Sequence, residues 1–317
     1  MSRQRAQTVT FDELVGDAED SPTRARRSTG SRWASVFSGL LLTLAVLASP
    51  LAMGGWWLEH DLLDTDAFVA QNADLINDSQ VRDAIVTKAT STIKARLNLP
   101  AAAQAVIGDA IQKDLLTGID ATLAPDTMQQ TWRALLTASH QQNVAALRDE
   151  ATPADSSFTL QLGPLVDQAR TQLATVNAPL AAMLPDADIS MSIGPAGSIE
   201  KTRPVVAIAD QYATPLVIGV MVALVAGVAL AAGGRMRALS RVATWLVVAC
   251  AATFALARAG AWVMANLLQR QLGDAAQPLF TSVSMPLQTL ATVIGVIALV
   301  IALVSRAIFV IARRRRA

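Results

Sequence analysis

The chain has 317 residues, of which 52% are hydrophobic and 16% charged. That mixture is too apolar for an ordinary soluble protein and too charged for a chain lying wholly in lipid, so a mixed architecture is implied. The formal net charge of +1 conceals acidic and basic segments that lie apart, and the preference for Arg (22) over Lys (4) carries no nucleic-acid inference.

Residues 1–33 mix Asp, Glu, Ser, Thr and Arg with few large apolar side chains, a composition that cannot offset the entropy lost on ordering. A disordered tail is expected there. Within it, Thr8 to Val15 is a candidate docking or phosphorylation motif, set against the simpler reading of a solvated leader. An apolar stretch follows at 35–58. Further stretches lie at 213–232, 242–266 and 287–311, and each is long enough to span a hydrocarbon layer, which takes about 20 helical residues. Lipid offers the backbone no hydrogen bonds, so such segments must be helical. Trp33, Trp56 and Trp57 bracket the first stretch, and Trp245 and Trp262 lie near the ends of the third, as interfacial anchors do.

Small residues at Ala48-Ser49-Pro50 and Leu51-Ala52 raise the alternative of a cleavable signal peptide. The apolar run exceeds the ~7–15 residues of a signal core, so an uncleaved anchor is the expectation. Orientation follows from the basic flanks. Arg3, Arg5, Arg24, Arg26, Arg27 and Arg32 precede the first stretch; Arg235, Arg237 and Arg241 lie at 233–241; Arg313 to Arg316 close the chain at 312–317. The segment 267–286 holds only Arg270. Both termini and the 233–241 loop are therefore expected in the cytoplasm, with 59–212 and the 267–286 loop outside.

The large segment 59–212 is acidic: from Leu58 to Tyr212, 10 Lys and Arg face 19 Asp and Glu, a net charge of −9. Asp78 is a candidate N-cap for a helix with Val81, Ile85, Ala89, Ile93 and Leu97 on one face, ended by Asn98 and Pro100. A second helix is expected through Ala103, Ile107, Ile111 and Leu115, and a third from Pro125-Asp126 through Met128, Trp132, Leu136 and Val144. Alternation at Ser157 to Leu162 and at Asp188 to Ile193 predicts two short strands, paired across a helix over Leu165 to Leu173. From about Ile199 the chain is expected to run as helix into the second span, with Pro204 and Pro215 starting or kinking it. The fold class expected is a mainly α membrane protein: a four-transmembrane-helix bundle carrying a mostly helical α+β extracytoplasmic domain.

Candidate chemistry is sparse. Ser91-Thr92-Ile93-Lys94 matches the S-x-x-K pattern of serine acyl-transferring enzymes, but no S-D-N or K-T-G partner follows, and Lys201-Thr202-Arg203 departs at its third position. Asp61, Asp64 and Asp66 cluster outside the first span, yet the sixth position counted from Asp64 is Val69 where a calcium loop needs Gly, so N-capping by Asp64 or Thr65 is the better role. His60 and His140 are the only histidines and make no zinc pattern; His140 continues the Trp132–Leu136 face as a core histidine, with a pH-responsive group as the sharper alternative. Cys250 is the single cysteine, so no intrachain disulfide is available. No catalytic, cofactor-binding or metal-binding residue is assigned, and no cofactor.

Inside the four apolar stretches the only charges are Arg258 and Arg306, both placed to snorkel; a bundle-facing Arg258 would have Asp210 as its partner. Gly219, Ala223, Gly227 and Ala231 recur at every fourth position, a spacing that permits close helix approach and that also arises by chance in so Ala-rich a chain.

A basic tail, a first span ending in Trp-Trp, then Leu63-Asp64-Thr65-Asp66-Ala67-Phe68-Val69 and Asp78-Ser79-Gln80-Val81-Arg82-Asp83-Ala84 form a recognisable order. It resembles a group of actinobacterial multi-pass integral membrane proteins of uncharacterised function with a large extracytoplasmic domain after the first span. In that group an L-D-T-D-x-F/Y-V segment and a D-P-x-V-x-x-A helix start recur; here Asp78-Ser79 stands where Asp-Pro is usual. The resemblance implies an actinobacterial cytoplasmic membrane and supplies no activity. The functional expectation is a non-enzymatic envelope protein that binds a partner, whether another envelope protein or a second copy, or senses through its acidic domain. The alternatives are a transport or channel component and, resting on Ser91 and Lys94, an envelope serine acyl-transfer enzyme.

Overall fold

A computed structural model of the chain describes residues 29–84, 87, 125–176, 178, 190–231 and 235–314. Most of the expected tail, Ser91 and Lys94, the expected helix through Ala103 and Leu115, and most of the expected 85–97 face lie outside these residues. The described part is mainly helical, with four long apolar helices and two short strands.

Helix α1 runs Thr29–Trp57 and continues as a π-helical turn, Leu58–Leu62. Short helix α2 (Thr65–Asn72), a 3-10 turn (Ala73–Asn77), α3 (Pro125–Arg148), β1 (Thr159–Gln161), α4 (Gly163–Val176) and β2 (Ser190–Ser192) make up the intervening domain. Then come α5 (Ser198–Leu230), α6 (Arg235–Leu272), a 3-10 turn (Gly273–Ala275) and α7 (Ala276–Arg314). Among the described residues four segments are long and apolar enough to cross a membrane: Trp33–Leu62, Ser198–Leu230, Arg235–Arg270 and Gly273–Ile311.

These helices overrun the apolar stretches on the domain side. The expected 267–286 loop is helical apart from Gly273–Ala275, where Gly273 takes φ +59° to turn the chain. The physical reason is burial: Ala275 sits in the core of the intervening domain and Leu279 packs against it, so helix continues where hydropathy alone suggests a loop. At the other end α6 begins at Arg235, inside the expected 233–241 loop.

The long helices form two antiparallel pairs. Gly55 of α1 lies against Ala213 of α5, and Leu42 lies against Gly227, whose carbonyl accepts a 2.6 Å hydrogen bond from the Ser38 hydroxyl. In the other pair Gly295 of α7 meets Cys250 of α6. Met53, Cys250 and Ala291 form a small apolar cluster that joins the pairs. Of the small-residue repeat on α5, Gly227 makes the close approach, whereas the space beside Gly219 is open.

The domain core is built on α3. Met128, Trp132, Leu135 and Leu136 bury one stripe against Ile76, Val81, Leu162 and Val166. About two turns further on, Val144 and Leu147 pack with Leu63 and with Ile199 and Val206 of α5. The two strands that the alternation predicts pair antiparallel, with Leu160 opposite Met191. A lone two-stranded pair is marginal in water. Here α3 supports its edge: Asn143 accepts from the Thr159 amide at 3.0 Å and donates to the Thr159 carbonyl at 2.8 Å, while Ser139 Oγ accepts from the Gln161 amide at 2.8 Å. Both expected caps are present. Asp64 accepts from the Ala67 amide at 2.8 Å, and Asp78 from the Gln80 amide at 2.9 Å.

Candidate coupling site

Among the described residues, long-range side-chain hydrogen bonds concentrate where the intervening domain meets the long helices. The π-helical turn closes with the Leu63 amide on Leu58 O at 2.9 Å, and the chain is extended at Asp64, so the Leu62 carbonyl is a terminal one that the turn does not continue past. His140 of α3 takes it: Nε2–H donates to Leu62 O at 2.8 Å. In the neutral ring Nδ1 is then an acceptor, and the Thr65 hydroxyl lies 3.0 Å from it. Phe68 stacks over the imidazole with centroids 4.3 Å apart. Trp132 performs the same service for α2, its indole N–H donating to Asn72 O at 3.0 Å. Helix α3 thus closes the carbonyl ends of both elements that lead out of α1.

Burial pushes the His140 pKa below its ordinary value near 6.5, opposed by the Leu62 hydrogen bond and by the nearby Asp64 charge. The sign follows directly. A base whose folded-state pKa is depressed binds fewer protons folded than unfolded, so its contribution to stability is complete above about pH 6.5 and declines as pH falls below that towards the lower folded value. Wild type should therefore lose stability between pH 7.5 and 5.5 more steeply than His140→Gln, a change that keeps one donor and one acceptor but does not titrate. Equal slopes in denaturant melts of the two proteins would refute this assignment.

Beyond the packing of Ile199 and Val206, polar contacts hold α5 to the domain, two of them between side chains. Arg148, at the end of α3, reaches Asp210 with Nε and a terminal nitrogen, both at 2.9 Å, and this hydrogen-bonded pairing raises the Arg148 pKa further. Thr214 donates to Glu59 at 3.0 Å. Arg258 is exposed, so the conditional pairing of a bundle-facing Arg258 with Asp210 does not arise; the Asp210 carboxylate is engaged from the domain side instead. Because the Arg148–Asp210 pair is itself partly exposed, Asp210→Asn should cost no more than about 1 kcal/mol, and less at high salt. A larger, salt-independent loss in thermal melts would show that the pair carries more than orientation.

On the α7 side, Pro286 has no amide hydrogen, so the carbonyl of Ser282 four residues earlier lacks its helical donor. Gln71 of α2 donates its side-chain amide to that oxygen, and Trp57 donates to Val283 O at 3.2 Å. Pro50 within α1 similarly frees Val46 O, and the Ser49 hydroxyl donates to it at 2.8 Å. Sequence reading singled out neither Pro286 nor Gln71, and nothing local marks a glutamine as the donor for a carbonyl 211 residues away.

The remaining candidates resolve simply. His60 stacks on Trp56 one turn back, and Asp64 is an N-cap. Among the described residues no three His, Cys, Asp or Glu side chains gather as a metal site. Arg306, like Arg258, is exposed. Comparison with protein-family models, with curated proteins and with solved structures gives no match.

Proposed function

We propose that the chain is a multi-pass protein of the cytoplasmic membrane, as its resemblance to the actinobacterial group implies. Its four long helices cross the bilayer as a bundle, residues 59–212 lie outside, and both termini lie in the cytoplasm. The acidic outer domain is a non-enzymatic module that binds an envelope protein or a second copy of the chain, or senses its surroundings, and passes its state to the spanning helices.

One observation carries this reading: α5 is a single helix whose first turns, through Ile199 and Val206, belong to the domain core and whose remainder is apolar enough to span. The turn joining α6 and α7 enters the same domain through Ala275. A domain merely tethered to an anchor needs neither arrangement. With its core continuous into three of the long helices, any partner that shifts α3 also loads α5 through Arg148–Asp210 and α7 through Gln71–Ser282.

The test uses the full chain in cells, with Cys250→Ser removing the only native thiol. A cysteine at Glu150 should react with a membrane-impermeant maleimide in intact cells, and one at Arg237 only after permeabilisation. A photocrosslinker at Glu150, which is exposed on the domain, should yield one discrete adduct with an envelope protein or a second copy. The reverse labelling pattern defeats the topology; absence of any discrete adduct from several exposed domain positions defeats the partner-binding role.

A further inference from the structure

The two helix pairs meet at Met53, Cys250 and Ala291 but part towards the beginnings of α1 and α6, leaving a cavity of about 580 Å³ open on one side. Its walls are the first half of α1 and the first turns of α6, which run in the same direction away from the expected cytoplasmic surface. On α6, Arg237, Arg241 and Trp245 recur at every fourth residue and so share one face. On α1, Leu42, Val46 and Leu47 line the cavity, and the Ser38 and Thr43 hydroxyls in the same wall donate to the Gly227 and Gly39 carbonyls. The cavity therefore brings together two guanidinium groups in the first turns of α6, an indole one turn further along that helix, and aliphatic side chains on α1.

No Asp or Glu occurs in residues 29–58 or 211–273, so these helices supply no internal counter-ion to the two arginines. Positive flanking residues that only set topology need no cavity beneath them. Two guanidinium groups beside an apolar wall match one chemistry, that of an anionic phosphate ester bearing a hydrocarbon chain. The volume suits a headgroup and the upper part of one chain.

We propose that this cavity binds an anionic phospholipid of the cytoplasmic leaflet, its phosphate held by Arg237 and Arg241 and its acyl chain lying along Leu42, Val46 and Trp245. The proposal rests on the membrane reading above. A lipid seated there bridges α1 and α6, the long-helix contact that is otherwise open at this end, and so ties the relation between the two pairs to leaflet composition.

The experiment titrates the purified full chain, in neutral detergent, with phosphatidylglycerol and with phosphatidylcholine, and counts bound lipid by native mass spectrometry. Phosphatidylglycerol should bind preferentially, and each arginine-to-glutamine change should weaken it about fivefold, so that Arg237→Gln with Arg241→Gln loses about 25-fold. Arg235→Gln lies outside the cavity and should leave the preference intact; an equal loss there would mean diffuse surface attraction and overturn the site. Gly39 lines the cavity with open space beside it, so Gly39→Leu fills the slot while keeping both charges, and it too should abolish the preference. Competition by inorganic phosphate equal to that of the lipid would remove the acyl wall from the assignment. A preference that emerges only after deletion of the acidic residues 12–20 would give the site to the tail. Failure of the chain to remain with membranes after an alkaline wash would strike the membrane reading itself, whereas retention without any lipid preference would strike this proposal alone.

Discussion

Replacing Trp132 by alanine is expected to destabilise the intervening domain by about 3–5 kcal/mol, a large share of the ~5–15 kcal/mol by which domains are normally stable. The side chain is 3% exposed and packs with Ile76, Val81, Leu135 and Leu162, so truncation removes apolar contact and leaves a cavity that α3 cannot collapse into without dragging β1 along. It also orphans the Asn72 carbonyl at the end of α2. Trp132→Phe separates the two effects. It keeps most of the ring volume and loses the N–H, so its cost should fall to about 1–3 kcal/mol. Hydrogen exchange at the α3 amides of the full chain reads both variants. Similar protection in Trp132→Ala and wild type would mean that α3 is not the organising element of this core.

The second large effect is expected at Gly227. A Cβ there would stand 2.5 Å from Leu42 Cδ2 and 2.6 Å from Leu42 Cγ, too close for either atom to remain in place. Gly227→Ala must displace the buried Leu42 side chain or spread α1 from α5, which would weaken the Ser38–Gly227 hydrogen bond, at a cost of about 1–3 kcal/mol typical of overpacking. Gly219→Ala is the control, since its added methyl meets nothing within 4 Å, and removal of a backbone-flexible glycine from a helix should be neutral or mildly stabilising. Leu42→Ala combined with Gly227→Ala should recover part of the loss, which makes the pair a double-mutant cycle. Thermal melts of the full chain that rank Gly219→Ala and Gly227→Ala equally would show that the α1–α5 contact lies elsewhere.

These two positions also show how far local reading reached. Trp132 was legible because Met128, Trp132, Leu136 and Val144 recur at helical spacing, and a face so marked has to be buried somewhere. Gly227 was legible only as one of four equivalent small residues; the choice among them depends on which turn of α1 comes to rest opposite, and that is a property of the pair. The strands followed the same division. Alternation at Leu160 and Met191 announced them, but their stability rests on Asn143 and Ser139, whose spacing on α3 carries no strand signal. Helix ends behaved least locally. The stretch 267–286 read as a loop because it is comparatively polar, yet it stays helical where Ala275 and Leu279 find apolar neighbours from another part of the chain.

What the chain alone determined is whatever depends on neighbours in sequence: four apolar helices, the acidic segment between the first two, and the caps at Asp64 and Asp78, because hydropathy, charge and capping act over one or two turns. Only tertiary structure decided which polar groups meet: His140 with Leu62 O, Arg148 rather than Arg258 with Asp210, Gln71 with the carbonyl that Pro286 leaves open. A desolvated donor or acceptor must find a partner, but the pattern around it states only the need, and the partner arrives from wherever the fold brings it.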